Sequence, residues 1–311
     1  MRRCVEDMDM TSSPGYPYQL SIPTIGQFLG YNGDGTFSES RLRAVHEIVL
    51  AQIENRVSDP IRLFVKQEAH KRSKAVKGAW RLISSVSVVD QIIDHMLFDP
   101  MNEMMVQNYL HIVPQIGWAP LYKGWTLIPS SGIAMDKSGW DWTVRPWLPS
   151  LVLKLRKRLC KNLNPKWEEL ADWRYTELYG APVYVTSGGQ FFRQKQPGVM
   201  KSGCVNTISD NSIMQDILNK VVELETGLTS TWMRTMGDDT LQSDPGDVPT
   251  YVDCLSKYCI VKDVKFAVEF AGYRFGLRSI EPLYFAKHCW NLLHADPRFG
   301  DQMATSYAIL Y

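Results

Sequence analysis

The sequence predicts an α+β fold in which an antiparallel sheet is covered by helices on one face. Three observations lead there. Apolar residues recur at helical spacing in several long segments, and short strand-like runs lie between them. The stretch "TWMRTMGDDTLQS", residues 231–243, has the form of a hairpin turning at Gly237-Asp238. The chain has 311 residues, which suits one large domain or two ordinary ones.

Taken in order, residues 11–18, "TSSPGYPY", form a loop rich in turn residues. Residues 40–56 form a helix with Leu42, Val45, Ile48 and Val49 on one face. Residues 61–87 give a strand, a basic excursion and a second strand, and 88–98 a helix with Val89, Ile92, Ile93, Met96 and Leu97 apolar. Residues 131–144 begin as an apolar strand that breaks at Asp136. A helix follows, with Pro146 near its first turn and "LVLKLRKRLC" as its body. A long helix spans 203–226 and ends at Gly227. Beyond the hairpin come a helix over 249–259, strands over 264–270 and 273–277, and a helix over 281–294.

Composition narrows the function classes. A net charge of +1 gives no global attraction to nucleic acid, so any basic footprint must be local. Ten tryptophans and fourteen tyrosines serve cores and base-stacking surfaces alike. The six cysteines contain no C-x-x-C pair, and Cys254, Cys259, His288 and Cys289 fit no common zinc spacing. Residues 116–135 are poor in charge but hold Lys123 and several Gly and Pro, which argues against a membrane span.

The chemistry concentrates in carboxylates. Asp238 and Asp239 are adjacent, and adjacent carboxylates repel. A hairpin would hold both at the end of a rigid sheet. Asp136 and Asp141 form a second pair, D-x4-D, behind the apolar "GIAM". A strand ending at Asp136 beside the hairpin would bring Asp136 next to Asp238, where cations must neutralise the group. Oxygen-only ligands suit Mg²⁺ or Mn²⁺, and two such ions would serve phosphoryl transfer. Taken singly, Asp136 reads equally as a helix N-cap and Asp141 as a turn residue. Between the two pairs, "KSGCVNTISDNS" places Ser202 and Gly203 before Thr207 and Asn211, which are four apart on one helix face. A Ser N-cap followed by an amphipathic helix would also fit.

Asp136/Asp141, Ser202-Gly203…Thr207…Asn211 and Gly237-Asp238-Asp239, in this order, resemble the palm motifs A, B and C of viral RNA-dependent RNA polymerases. "SGWDWTV" and "PGVMKSGCVNT" are most similar to those of sobemovirus- and polerovirus-like plus-strand RNA viruses. The resemblance implies a right hand of fingers, palm and thumb: fingers over 1–130, palm over 131–165, a fingers insertion over 166–200, palm over 201–276 and the start of a thumb over 277–311. It implies two metal ions held by Asp136, Asp238 and, more weakly, Asp239. Asp141, Asn211 and Thr207 would surround the ribose 2′-hydroxyl, the group that marks an RNA precursor. Ser202 and Gly203 would join them in binding the nucleotide.

Further motifs extend the resemblance. Lys66, Lys74 and Arg81 resemble the cations of motif F that cover the incoming triphosphate. Thr11, Ser12 and Gly15 fall in a segment similar to motif G, which implies contact with the template backbone. "YCIVKDVKF" occupies the place of motif D, whose lysine protonates the leaving pyrophosphate. Lys262 and Lys265 both qualify, with Lys262 preferred. "EFAGYRF" resembles motif E and places Tyr273 at the primer. The implied partners are a single-stranded RNA template, an RNA primer or product strand and NTPs, with a protein primer and other viral replication proteins as further expectations. The implied location is host cytoplasm at membrane-associated replication complexes. A catalytically silent RNA-binding or scaffold fragment of a polyprotein is the alternative, followed by a reverse transcriptase on the same palm.

Overall fold

The computed structural model describes residues 1–121 and 123–311. In chain order the first half contains α1 (Arg2–Glu6), α2 (Ile25–Leu29), α3 (Glu39–Asn55), β1 (Ile61–Val65), α4 (Arg72–Val76), β2 (Leu82–Ser85), α5 (Val88–Gln107), β3 (Ile133–Lys137) and α6 (Trp140–Thr143). There follow α7 (Trp147–Leu159), α8 (Pro165–Tyr179), β4 (Val183–Thr186), β5 (Phe191–Arg193), α9 (Thr207–Thr226), β6 (Met233–Met236) and β7 (Asp239–Gln242). The chain closes with α10 (Val248–Leu255), β8 (Val261–Lys265), β9 (Glu269–Phe270), β10 (Tyr273–Phe275), β11 (Ile280–Pro282), α11 (Phe285–Leu293) and α12 (Gly300–Leu310). These elements divide into two compact units. One comprises 1–66, 81–104 and 141–210, the other 67–80, 105–140 and 211–311.

The first unit is built on the sheet β2-β1-β4-β5, antiparallel except for the parallel pairing of β1 with β4. Its apolar core joins Phe28 and Leu29 of α2, Leu42, Val45 and Val49 of α3, and Val88, Val89, Ile92 and Ile93 of α5. The i, i+3, i+7 spacing of the α3 residues makes a narrow stripe. Ile48 falls beside that stripe and is exposed, as is Met96 on α5, contrary to the apolar faces read from sequence. α5 also runs past its expected end and through Pro100 to Gln107.

Two arginines with 1% exposure organise the interior of this unit. Arg174 of α8 donates to Asp94 at 2.6 Å, to Asp90 at 2.7 Å and to the hydroxyl of Ser58. Arg156 of α7 donates to Asp210 at 2.8 Å and to Ser209 at 3.0 Å, and the Tyr175 and Tyr179 hydroxyls donate to the other oxygen of Asp210. Charges this far from water persist only when each is matched by hydrogen bonds.

In the second unit, the sheet β6-β7-β3-β8 is antiparallel throughout, and a smaller antiparallel sheet β11-β10-β9 follows. β3 pairs with β7 as the sequence requires, and continues one residue past Asp136 to Lys137. α9 begins at Thr207, four residues later than the periodicity predicts. The expected strand over 264–270 is instead β8 and β9, and residues 280–282 form β11 before the last helices. Trp118, Leu241, Val268, Phe270 and Phe275 form the apolar centre. Tyr251 of α10 donates to Asn219 Oδ1 of α9 at 2.7 Å. Among the described residues no helix is long and apolar enough to cross a membrane.

Burial pushes the Asp90 carboxyl up to about 6, against the pull of Arg174. A carboxyl raised above its unfolded value of ~3.9 binds its proton more readily in the folded chain, so its contribution is most favourable below about pH 4 and is lost as the pH rises through about 6. Arg174→Met leaves Asp90 and Asp94 buried without their cation. The expected loss is about 3–5 kcal/mol at pH 8, with part of it recovered at pH 5, where the raised Asp90 carboxyl takes up a proton. Urea unfolding of the two proteins at both pH values checks this.

Candidate active site

The hairpin forms because Met233 and Thr235 alternate into the interior while Met236 pairs with Asp239, leaving a two-residue loop of Gly237 and Asp238. Gly237 takes a φ of +63°, which a residue with a Cβ adopts only under strain. The loop is pinned from below. Ser212 of α9 has no exposed surface, its Oγ accepts from the Gly237 N–H at 2.8 Å, and its carbonyl accepts from the Thr235 hydroxyl at 3.0 Å. Ser212 lay within the motif read from sequence but received no role there.

Met135 of β3 pairs with Thr240 of β7, so Asp136 lies one step beyond that pair, at the same sheet end as Asp238 and Asp239. On its other side Asp136 pairs with Asp263 of β8, a fourth carboxylate that sequence reasoning missed. The register then shifts, so that Lys137 pairs with Val261 and Lys262 is the extra residue of a bulge. Bulges re-aim side chains, and this one turns Lys262 onto Asp136, with which it forms an ion pair. The hydrogen bond and charge of Asp136 hold the Lys262 ammonium above its ordinary value. Lys265 turns elsewhere, to Glu269 at 2.6 Å. Of the two candidate lysines, Lys262 is therefore the one that meets Asp136, while Lys265 lies 4.0 Å from Asp263.

Beneath the cluster lies Lys137, buried, with its Nζ donating to Thr240 Oγ1 at 2.7 Å. Burial pulls its ammonium down to about 8, against the opposing pull of Cys259 and of Asp238, Asp239 and Asp136. The outer edge of Asp239 is solvent-accessible, yet surrounding atoms desolvate its carboxyl. That, with repulsion from Asp238 and Asp136 only partly offset by Lys137, pushes it up to about 6. Among the described residues no three His, Cys, Asp or Glu side chains converge into a cluster able to hold a metal ion. The donor chemistry nevertheless suits a hard divalent cation: the oxygens are acceptor-only and they repel one another. Lys262 supplies Asp136 with a cation from the chain itself.

Asn211 of α9 is buried in this second unit, and its Oδ1 accepts from the indole N–H of Trp140 at 2.8 Å. Trp140 thus orients the predicted ribose reader, a role the sequence did not reveal. Lys74 is exposed on α4, and Tyr273 in β10 is half-buried opposite Phe270 and Pro282.

The remaining predicted residues lie in the first unit. Asp141 stands in the first turn of α6, and its carbonyl accepts from the Met200 N–H at 2.8 Å. The Ser202 hydroxyl accepts from the Ser84 N–H at 3.2 Å, so it ties its loop to β2 instead of capping α9. Gly203 bridges to Ser85, and a Cβ here would sit 2.5 Å from the Ser84 carbonyl, so the glycine admits a close approach of its own chain. The Thr207 hydroxyl lies within donating distance of the carbonyls of Cys204 at 2.7 Å and Lys201 at 3.0 Å. Lys66 and Arg81 close the base of the basic excursion through a main-chain bond of 2.8 Å. The hydroxyls of Thr11 and Ser12 both donate to Asp9, whose carboxyl they hold down to about 2, and Gly15 packs against residues 86 and 87.

The profile of the family described as viral RNA-dependent RNA polymerase matches residues 1–271. The chain belongs to that family. Protein P1-P2 of Turnip yellows virus (isolate FL-1) is 32% identical over 240 residues, covering 71% of this chain and 22% of that protein. Replicase polyprotein P2AB of Cocksfoot mottle virus is 33% identical over 213 residues, covering 65% of this chain and 22% of the polyprotein. This polymerase-family chain therefore spans about a fifth of the length of these curated relatives. The solved structure of a Sicinivirus 3Dpol RNA dependent RNA polymerase has the same fold, with a TM-score of 0.69 at 20% identity over 86% of this chain and 60% of the other. The expected right-hand polymerase fold is thereby established.

The Asp239 environment gives a test that needs no catalysis. A carboxyl raised in the folded state is most favourable to the fold below about pH 4, where folded and unfolded forms are both protonated, and that advantage is lost as the pH rises through about 6. Asp239→Asn should therefore stabilise the chain by roughly 1 kcal/mol at pH 8 after allowance for solvent screening, and by nothing at pH 3.5. Thermal unfolding at the two pH values reads the difference.

Proposed function

We propose that this chain is the catalytic core of an RNA-dependent RNA polymerase that replicates a viral RNA genome. In this reading it adds NTPs to an RNA 3′-hydroxyl along a single-stranded RNA template. One observation carries the reading within the family: Asp136, Asp238 and Asp239 stand at one end of adjacent antiparallel strands, and a bulge aims Lys262 into them.

Asp136 and Asp238, with Asp239 as the weaker ligand, would hold two Mg²⁺ or Mn²⁺ ions. Bound there, the ions supply activation of the attacking hydroxyl and neutralisation of the leaving pyrophosphate. The chain's own part is positioning and proton supply. Lys262, kept protonated by Asp136, carries a proton suited to the leaving group once freed from that pair. Lys66, Lys74 and Arg81 offer cations to the triphosphate, Arg81 with a planar fork matched to phosphate. Asp141, Thr207 and Asn211 select the ribose, with Ser202 and Gly203 shaping the loop before α9. Thr11, Ser12 and Gly15 belong to the template side and Tyr273 to the primer side. We assign residues 1–130 and 166–200 to fingers, 131–165 and 201–276 to palm, and 277–311 to the start of a thumb. A protein primer, other viral replication proteins and membrane-associated complexes in host cytoplasm complete the proposed setting.

Primer extension on a short RNA template with Mg²⁺ and labelled NTPs tests the reading. Template-dependent incorporation by the native chain should fall at least about 100-fold in Asp238→Ala, the scale on which loss of a group that stabilises developing charge is felt. Incorporation unaffected by the substitution would overturn the assignment. Preference for dNTPs would support a reverse transcriptase instead, and template binding without incorporation a scaffold.

A further inference from the structure

Lys201 stands immediately before Ser202-Gly203 and has no exposed surface. Its Nζ donates to the carbonyls of Val199 at 2.6 Å and Gly198 at 3.0 Å, and to Gln194 Oε1 at 3.0 Å. The rings of Tyr179 and Tyr184 lie within 5.6 and 5.9 Å of it. None of these partners is a carboxylate. A buried ammonium without a counter-charge is costly, and desolvation draws this one down to about 7. Core packing alone would be served better by an apolar side chain.

The cage has a specific content. Val199 is β-branched, yet its φ is +60°, a conformation that surroundings must impose. Its carbonyl takes the shortest of the Lys201 contacts. The next residue, Met200, donates its N–H to the carbonyl of Asp141. The carbonyl of Lys201 itself lies 3.0 Å from both the Cys204 amide nitrogen and the Thr207 hydroxyl oxygen. One residue thus connects the strained turn, the main chain of Asp141 and the start of α9.

We propose that Lys201 is a positioning residue for ribose selection, caging the carbonyls of residues 198 and 199 so that Asp141 and Thr207 are held in fixed relation. The inference rests on the polymerase reading for its substrate, and on the loop geometry alone for its mechanical claim.

Two measurements separate these. Amide exchange in the native chain should rise about tenfold at Met200 and Cys204 in Lys201→Met, while amides of α3 and α5 keep wild-type protection. Lys201→Arg, which retains a cation, should restore most of the protection. In parallel, the ratio of kcat/KM for an NTP over its 2′-deoxy analogue should fall by about tenfold in Lys201→Met, in line with the sensitivity of catalysis to small misplacements, and recover in Lys201→Arg. Unchanged exchange and unchanged discrimination in Lys201→Met would overturn the proposal. So would loss of protection throughout the first unit, which would mark a purely structural residue. Should Lys201→Met fail to fold, Lys201→Gln compared with Lys201→Arg decides by the same readouts. A wild-type chain that incorporates no nucleotide overturns the polymerase reading, and the exchange data then decide the loop claim independently.

Discussion

The register of β3 between β7 and β8 is the constraint on which the candidate site depends. Side chains on a strand alternate, so a slip of one residue would exchange Asp136 for Met135 or Lys137 at the sheet end. The alternation instead buries Ile133, Met135 and Lys137 and leaves Asp136 exposed beside the hairpin. Apolar burial on one face therefore decides where charge collects on the other. The bond from the Gly237 amide to Ser212 Oγ then fixes the height of the hairpin tip against α9.

Much of this was legible in the sequence, for identifiable reasons. The hairpin and its partner strand were readable because Gly237 and the alternating Met233 and Thr235 are short-range signals. α3 was readable because its apolar stripe is regular. The register after the hairpin was not. β8 carries a bulge at Lys262, and an inserted residue destroys the period of two on which strand reading relies. The start of α9 was placed too early because residues 203–206 continue an apolar-polar pattern while Gly203 is held against β2. β5 gave no signal, since Phe191, Phe192 and Arg193 are all exposed. The side chains that orient others, Ser212 and Trp140, were invisible for a further reason. Their importance lies in contacts 25 and 71 residues away along the chain, which no local pattern encodes.

A common physical strategy appears in both units. Buried cations organise the interior of each: Arg156, Arg174 and Lys201 in the first, Lys137 in the second. Burial of charge stabilises little by itself, but it penalises every arrangement in which the partners are missing.

The Arg174 cluster has a consequence for how this chain can vary. Asp90 and Asp94 come from α5 and Arg174 from α8, eighty or more positions along the chain. Loss of any one member strands the others in a dry interior, whereas joint replacement by apolar residues of similar volume carries no such penalty. The three positions behave as a single unit of inheritance. Among relatives with this fold, the cluster should be found whole or replaced whole, and a chain that carries only part of it should carry a compensating charge within reach.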